Sequence, residues 1–224
     1  MSRFYPILVD LRGKKALVVG GGKVAQRKVE TLLEHGASVD LVARDLTEPL
    51  ERLHKSGRIR FLGRDFSETH LGGAFLVVAA TDDEALNRRV SQGARQRGLL
   101  VNAVDQPADC NFIVPSVLSR GDLQIAVSTS GKSPAFARKV RLELEQHFGE
   151  EYGLFLNLMG KLRKEILALG LSQEENKRAF EDLVHSDLLQ AIGRKNWGSA
   201  SQILEKVLGR PVSEAQMLDF IKAE

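Results

Sequence analysis

Short apolar runs alternate with amphipathic stretches through the first half of the chain. The runs fall at residues 15–19, 38–43, 58–62, 75–79 and 99–104 and lack polar alternation, the pattern of strands covered on both faces. Between them the spacing predicts helices over 23–35, about 47–56 and 83–97. This βαβ rhythm belongs to an α/β protein with a doubly wound parallel sheet. From about Cys110 the rhythm changes. Phe112-Ile-Val-Pro, a polar turn at 119–122 and the run 123–127 predict a hairpin or a pair of crossing strands, and Pro134 opens a helix that reaches about His147. Beyond Gly149 only helical patterns remain, at about 151–168, 173–191, 197–208 and 213–223. Leu154, Leu158, Leu162 and Ile166 make an apolar stripe that suits packing within a bundle, with a dimer seam as the second reading. The chain therefore divides into residues 1–110, 111–149 and 150–224.

The first apolar run, Ala16 to Val19, breaks into Gly20, Gly21 and Gly22 and then turns helical. Gly20, Gly22 and Ala25 satisfy the G-x-G-x-x-[GA] pattern of a dinucleotide-binding Rossmann-type fold. The first glycine allows a tight turn, the second lets backbone approach a pyrophosphate, and the small third residue lets helix meet strand. Backbone N–H groups of Lys23 and Val24 would then face the anion. A purely structural strand-to-helix turn is the alternative. In a doubly wound sheet the site lies at the carboxyl ends of the strands, which places Gly20, Ala43, Thr81 and Asn102 around one crevice. Thr81 and Asp82 either line that crevice or cap the helix that follows. Asn102 either bonds the nicotinamide or ribose or satisfies a strand end. The second strand ends in Ala43 where an acidic residue usually binds the ribose 2′-hydroxyl; Arg44 and Asp45 follow. Arg44 either accommodates the extra phosphate of NADP or stacks beside adenine as a surface arginine, and Asp45 can reach the ribose from one residue further on.

Composition narrows the class. The 32 basic and 29 acidic residues are interleaved, so no nucleic-acid-binding stripe is indicated despite the slight positive charge. One cysteine excludes an internal disulfide framework, no run approaches the length of a membrane span, and the N-terminus lacks a secretory core. A soluble cytoplasmic protein is expected. The histidines are dispersed, and no Cys/His spacing marks a permanent metal site.

Five stretches go beyond a generic dinucleotide fold: Tyr5-Pro-Ile-Leu-Val-Asp-Leu, Val18-Val-Gly-Gly-Gly-Lys-Val-Ala-Gln-Arg-Lys, Ala79-Ala-Thr-Asp-Asp-Glu-Ala-Leu-Asn, Val101-Asn-Ala-Val-Asp-Gln-Pro-Ala-Asp-Cys-Asn-Phe-Ile-Val-Pro-Ser and Ala126-Val-Ser-Thr-Ser-Gly-Lys-Ser-Pro-Ala-Phe-Ala-Arg. Together they closely resemble the precorrin-2 dehydrogenase / sirohydrochlorin ferrochelatase family, which also supplies the N-terminal module of bifunctional siroheme synthases. The resemblance covers residues 1 to about 150. It implies a homodimer and NAD-dependent oxidation of precorrin-2, a reduced tetrapyrrole with many carboxylate arms, to sirohydrochlorin. Some members also insert ferrous iron; no pattern in this chain selects between the two types, and such a chelatase needs no resident metal.

Asp105 stands just past the run 99–104, on the carboxyl-end side where a positioned carboxylate can accept a proton. Read from the residues alone it equally suits a turn before Pro107. The resemblance matches it to the family's essential aspartate. Ser128, Thr129, Ser130, Lys132 and Ser133 form a hydroxyl-rich loop before a helix N-terminus, suited to substrate carboxylates, with Ser133 as an N-cap in the plainer reading. Arg120, Arg138, Lys139 and Arg141 either offer further charge toward an acidic tetrapyrrole or, in part, form a solvated helix face. A non-catalytic module that senses NAD(H) is the competing class, and it would need neither Asp105 nor a tetrapyrrole cleft.

Overall fold

The computed structural model describes residues 4–222. Its chain forms two compact units that divide between Val114 and Pro115.

The first unit carries five strands, β1 (Lys15–Val19), β2 (Ser38–Val42), β3 (Ile59–Gly63), β4 (Leu76–Ala79) and β5 (Leu100–Ala103), in the order β3-β2-β1-β4-β5 with every pair parallel. Helices α1 (Lys23–Glu34), α2 (Glu48–Lys55) and α3 (Glu84–Gln96) connect them. Alternate residues of β1 serve opposite faces. Ala16 and Val18 join Ala25, Val29 and Leu32 of α1 and Leu50 of α2, whereas Leu17 and Val19 join Val90 and Ala94 of α3. A period of two buried on both sides explains why these runs lack polar alternation. The exception is Asp40, a buried carboxylate on β2. It accepts two hydrogen bonds from Arg60, at 2.8 and 2.7 Å, and pairs with Lys15 at 3.1 Å. Burial pushes its pKa up, but the hydrogen bonds from Arg60 and then Lys15, with their charge, outweigh this and hold it below the ordinary carboxylate range.

Chain order reverses between β1 and β4, because β1 leads to β2 on one side while β4 lies on the other. Such a switch point leaves a crevice outside the carboxyl ends of the strands.

In the second unit β6 (Ser116–Arg120) and β7 (Leu123–Val127) form an antiparallel hairpin. The hairpin is the predicted one, but its first strand begins later than Phe112. Ser119 and Arg120, expected in the turn, are the last residues of β6, and Gly121 and Asp122 make the turn instead. Gly121 adopts φ +56°, which glycine supplies without a Cβ penalty, so two residues suffice to reverse the chain. Helix α4 (Pro134–His147) packs on the hairpin. Helices α5 (Glu151–Ala168), α6 (Gln173–His185), α7 (Leu188–Gly193), α8 (Trp197–Leu208) and α9 (Glu214–Phe220) surround a core of Leu158, Leu162, Ile166, Leu183, Leu204 and Met217. The stripe on α5 thus packs within its own unit. One helix predicted over 173–191 is two. Ser186 is extended at ψ 172°, donates its hydroxyl to Leu183 O at 2.8 Å and accepts from Leu188 N–H at 3.2 Å, which ends α6 and starts α7.

Candidate functional site

The glycine loop between β1 and α1 is tight for reasons that differ residue by residue. Gly20 has φ +126°, and a Cβ there would lie 2.2 Å from Ala80 O; a Cβ on Gly21 would lie 2.0 Å from Asp45 O. These two glycines let the loop pass between the ends of β2 and β4. Hydrogen bonds from Gly20 N–H to Val42 O (2.8 Å) and from Thr47 N–H to Gly21 O (3.0 Å) fix it there. Gly21, given no role by the sequence pattern, is therefore as constrained as Gly20. Gly22 is the opposite case: nothing lies within 4 Å of its would-be Cβ. It is also the N-cap of α1, without a side-chain cap and with no acidic residue in the first turn. The start of α1 thus offers backbone donors beside open space, the arrangement that binds an anion. Lys23 and Val24, at the first positions of α1, have exposed side chains.

Around this loop runs a crevice of about 850 Å³, lined by Gly20, Gly22, Arg44, Asp45, Thr81 and Asp82 of the expected residues. Arg64, Asp65 and Arg89 line it too and were not expected. The end of β3 carries Arg64 and Asp65, and only the pairing of β2 with β3 brings them beside Arg44 and Asp45. Asn87 is the other residue the sequence pattern missed. It is buried within α3, accepts from Thr81 N–H at 3.1 Å and from the Thr81 hydroxyl at 2.7 Å, and donates to Thr81 O at 2.9 Å. Those bonds set the course of the chain past β4. Capping of α3 falls to neither Thr81 nor Asp82: Asp83 accepts from Leu86 N–H at 3.0 Å. Asp82 is left exposed on the crevice rim.

Asn102 is not a crevice residue. Its amide donates to Phe112 O at 3.2 Å and approaches Cys110 Sγ at 3.6 Å, and with Asn111 N–H on Val101 O (3.0 Å) this straps residues 110–112 along β5. The strand-end reading of Asn102 is the one its contacts support. Asp105 is two residues past β5. Val104 N–H bonds Ala79 O at 2.9 Å, so the chain leaves the sheet beside the end of β4, and Gln106 N–H bonds Ala103 O at 3.3 Å across a turn whose third residue is Asp105. Asp105 is exposed and sits in the left-handed region at φ +59°. A carboxylate there costs backbone energy that glycine would avoid, of order 1 kcal/mol.

In the second unit the loop before α4 is built by its own hydroxyls. Ser128 Oγ accepts from Ser130 N–H (3.1 Å), Thr129 Oγ1 accepts from Ser133 N–H (3.1 Å) and donates to Ser133 O (3.0 Å), and Ser133 Oγ caps α4 by accepting from Phe136 N–H (3.2 Å). Ser130 is held at φ +53°. Lys132 is exposed at the loop tip, as is Arg138 one turn into α4. Arg120 is engaged structurally through Phe148 O (2.9 Å) and Glu150 (3.3 Å), and Arg141 pairs with Glu145. Among the described residues, no group of three His, Cys, Asp or Glu side chains could hold a metal ion, and no helix is long and apolar enough to cross a membrane.

Comparison with known proteins agrees with this anatomy. Residues 7–116 match a family model described as "Putative NAD(P)-binding", and residues 120–147 match one described as "Sirohaem biosynthesis protein central". Siroheme synthase 1 of Pectobacterium atrosepticum is 37% identical over 214 residues, which are 96% of this chain and 45% of that protein. Siroheme synthase 1 of Aeromonas salmonicida is 39% identical over 203 residues, 90% of this chain and 43% of that protein. The chain thus spans under half the length of these curated relatives. Among solved structures, SirC, precorrin-2 dehydrogenase, superposes with a TM-score of 0.76 at 25% identity, covering 91% of this chain and 98% of that one. With a match to an NAD(P)-binding model followed directly by a match to the sirohaem central model, the chain is similar to these siroheme synthases over nearly all of its own length and shares its fold with that dehydrogenase.

Proposed function

We propose that this chain oxidises precorrin-2 to sirohydrochlorin with NAD as the acceptor. The observation that carries the reading is the placement of Asp105: a carboxylate held in a left-handed turn directly past β5, on the same edge of the sheet as the glycine-lined crevice. Oxidation removes two electrons and two protons from the macrocycle, as one hydride and one proton. When bound, the oxidised nicotinamide supplies the hydride acceptor. The backbone N–H groups at the start of α1, beside Gly22, would hold the pyrophosphate, and Asp45 would take the ribose hydroxyl. Asp105 accepts the proton or orients the ring that loses it. Lys132 and Arg138 meet carboxylate arms of the substrate, and Ser128, Thr129, Ser130 and Ser133 shape the loop that presents them. The working form is a cytoplasmic homodimer.

The test is anaerobic incubation of the purified chain with enzymatically made precorrin-2 and NAD, following NADH formation and the sirohydrochlorin spectrum. Turnover by the wild type and its loss in Asp105→Ala, with NAD affinity retained, is the expected result. Ferrous ion added to the same reaction then reads metal insertion. NAD binding without turnover under either nicotinamide dinucleotide would refute the enzyme and favour an NAD(H)-sensing module.

A further inference from the structure

The ends of β2 and β3 bring four charged side chains to one rim of the crevice. Arg44 Nε stands 3.8 Å from Asp65 Oδ1 and Arg64 Nη2 stands 3.4 Å from Asp45 Oδ1, so each strand end pairs with the other in a crossed arrangement. All four side chains line the crevice, and the least exposed of them, Arg64, is still 68% accessible. Ion pairs this exposed contribute between zero and about 1 kcal/mol, so a ligand can displace either one. The usual position for a ribose-binding acid carries no carboxylate here: it is Ala43, buried at 5% exposure. Asp45 is the first carboxylate past β2 that reaches the crevice.

We propose that Arg64, delivered by the third strand, sets the choice at the adenosine ribose: it holds Asp45 where the carboxylate accepts from a 2′-hydroxyl, and it takes a 2′-phosphate once Asp45 loses its charge. This rests on the nicotinamide-dinucleotide reading of the crevice. The neighbouring cations have partners other than Asp45. Arg44 faces Asp65, and Arg89 donates to Phe66 O at 3.2 Å with its guanidinium 5.4 Å from the Phe66 ring centre. Arg64 is therefore the cation that neutralising Asp45 releases. Asp45 in turn opposes a 2′-phosphate by like charge and favours the hydroxyl that only NAD presents there.

The experiment is calorimetric titration of NAD and NADP into the full chain as wild type, Asp45→Asn, Arg64→Gln and the double variant. These side chains are exposed, and melting curves confirm that each variant is folded. Asp45→Asn is expected to tighten NADP by about tenfold, the effect of roughly 1.4 kcal/mol, and to weaken NAD. In the Arg64→Gln background the same substitution is expected to change NADP affinity by less than about threefold, as double-mutant coupling requires. Equal effects of Asp45→Asn with and without Arg64, or no effect on NADP in either background, would overturn the assignment. Binding of neither dinucleotide by the wild type would instead overturn the cofactor reading on which it rests.

Discussion

Alanine placed at each of the three consecutive glycines should separate folding from nucleotide binding. At Gly21 the new methyl would meet Asp45 O at 2.0 Å and Ala43 Cβ at 2.8 Å, against an ordinary contact of 3.4 Å or more. The obstruction includes backbone, which cannot rotate away, so the loop or the end of β2 must move. Overpacking of this kind costs roughly 1–3 kcal/mol. At Gly20 the overlap with Ala80 O is similar, and φ +126° adds strain of order 1–3 kcal/mol for a residue with a side chain. At Gly22 there is no overlap, and the loss is that of an N-cap glycine, under about 1 kcal/mol. For a chain of this size 1 kcal/mol is roughly 2–4 °C in melting temperature. Gly20→Ala should therefore melt about 10 °C low, Gly21→Ala about 5 °C low or more, and Gly22→Ala within about 3 °C of wild type. Affinity should order differently: Gly22→Ala puts its methyl where the pyrophosphate approaches and should lose at least about tenfold in NAD binding while staying folded. Melting curves with and without NAD read both quantities. Wild-type NAD affinity in Gly22→Ala would refute the placement of the phosphate over that residue.

Further outcomes follow from the cores of the two units. Asp40→Asn removes a carboxylate that holds Arg60 and Lys15 and should cost about 1–3 kcal/mol in urea unfolding at pH 7. Because the folded pKa of Asp40 is depressed, its contribution is present above the unfolded carboxylate range and is lost as pH falls through the folded value. The gap between variant and wild type should therefore close in acid, and a gap independent of pH would contradict the pairing. Asn87→Leu should cost about 1–3 kcal/mol by stripping Thr81 of its buried partner and should weaken NAD binding more than tetrapyrrole binding; unchanged NAD affinity by titration would show that the turn after β4 does not shape the crevice. Leu204→Ala, at a fully buried position among the helices of the second unit, should cost about 2–5 kcal/mol by calorimetry, and a loss under 1 kcal/mol would mean that this core is not packed as described.

Local chemistry alone wrote much of this protein into its sequence. The strands of the first unit, β1 at Lys15–Val19 above all, and the ends of α5 and α8 follow from apolar periodicity and capping residues that act within a few positions of one another. The glycine loop and the hydroxyl loop before α4 were legible for the same reason. What local chemistry leaves open is decided by partners distant in sequence. Asn102 carries the same side chain whether it binds a nucleotide or straps residues 110–112, and only the chain returning along β5 gives its amide Phe112 O to bond. Gly21 needs its missing Cβ because Asp45 O arrives from β2, and Arg64 reaches the crevice because β3 pairs beside β2. Asn87, buried within α3, finds its partners in the half-buried Thr81 N–H and C=O that the end of β4 brings beside it. Sequence fixes which groups are available and the period on which they recur. Tertiary structure decides which of them meet, because burial makes each polar group find whichever partner the topology brings within hydrogen-bond distance.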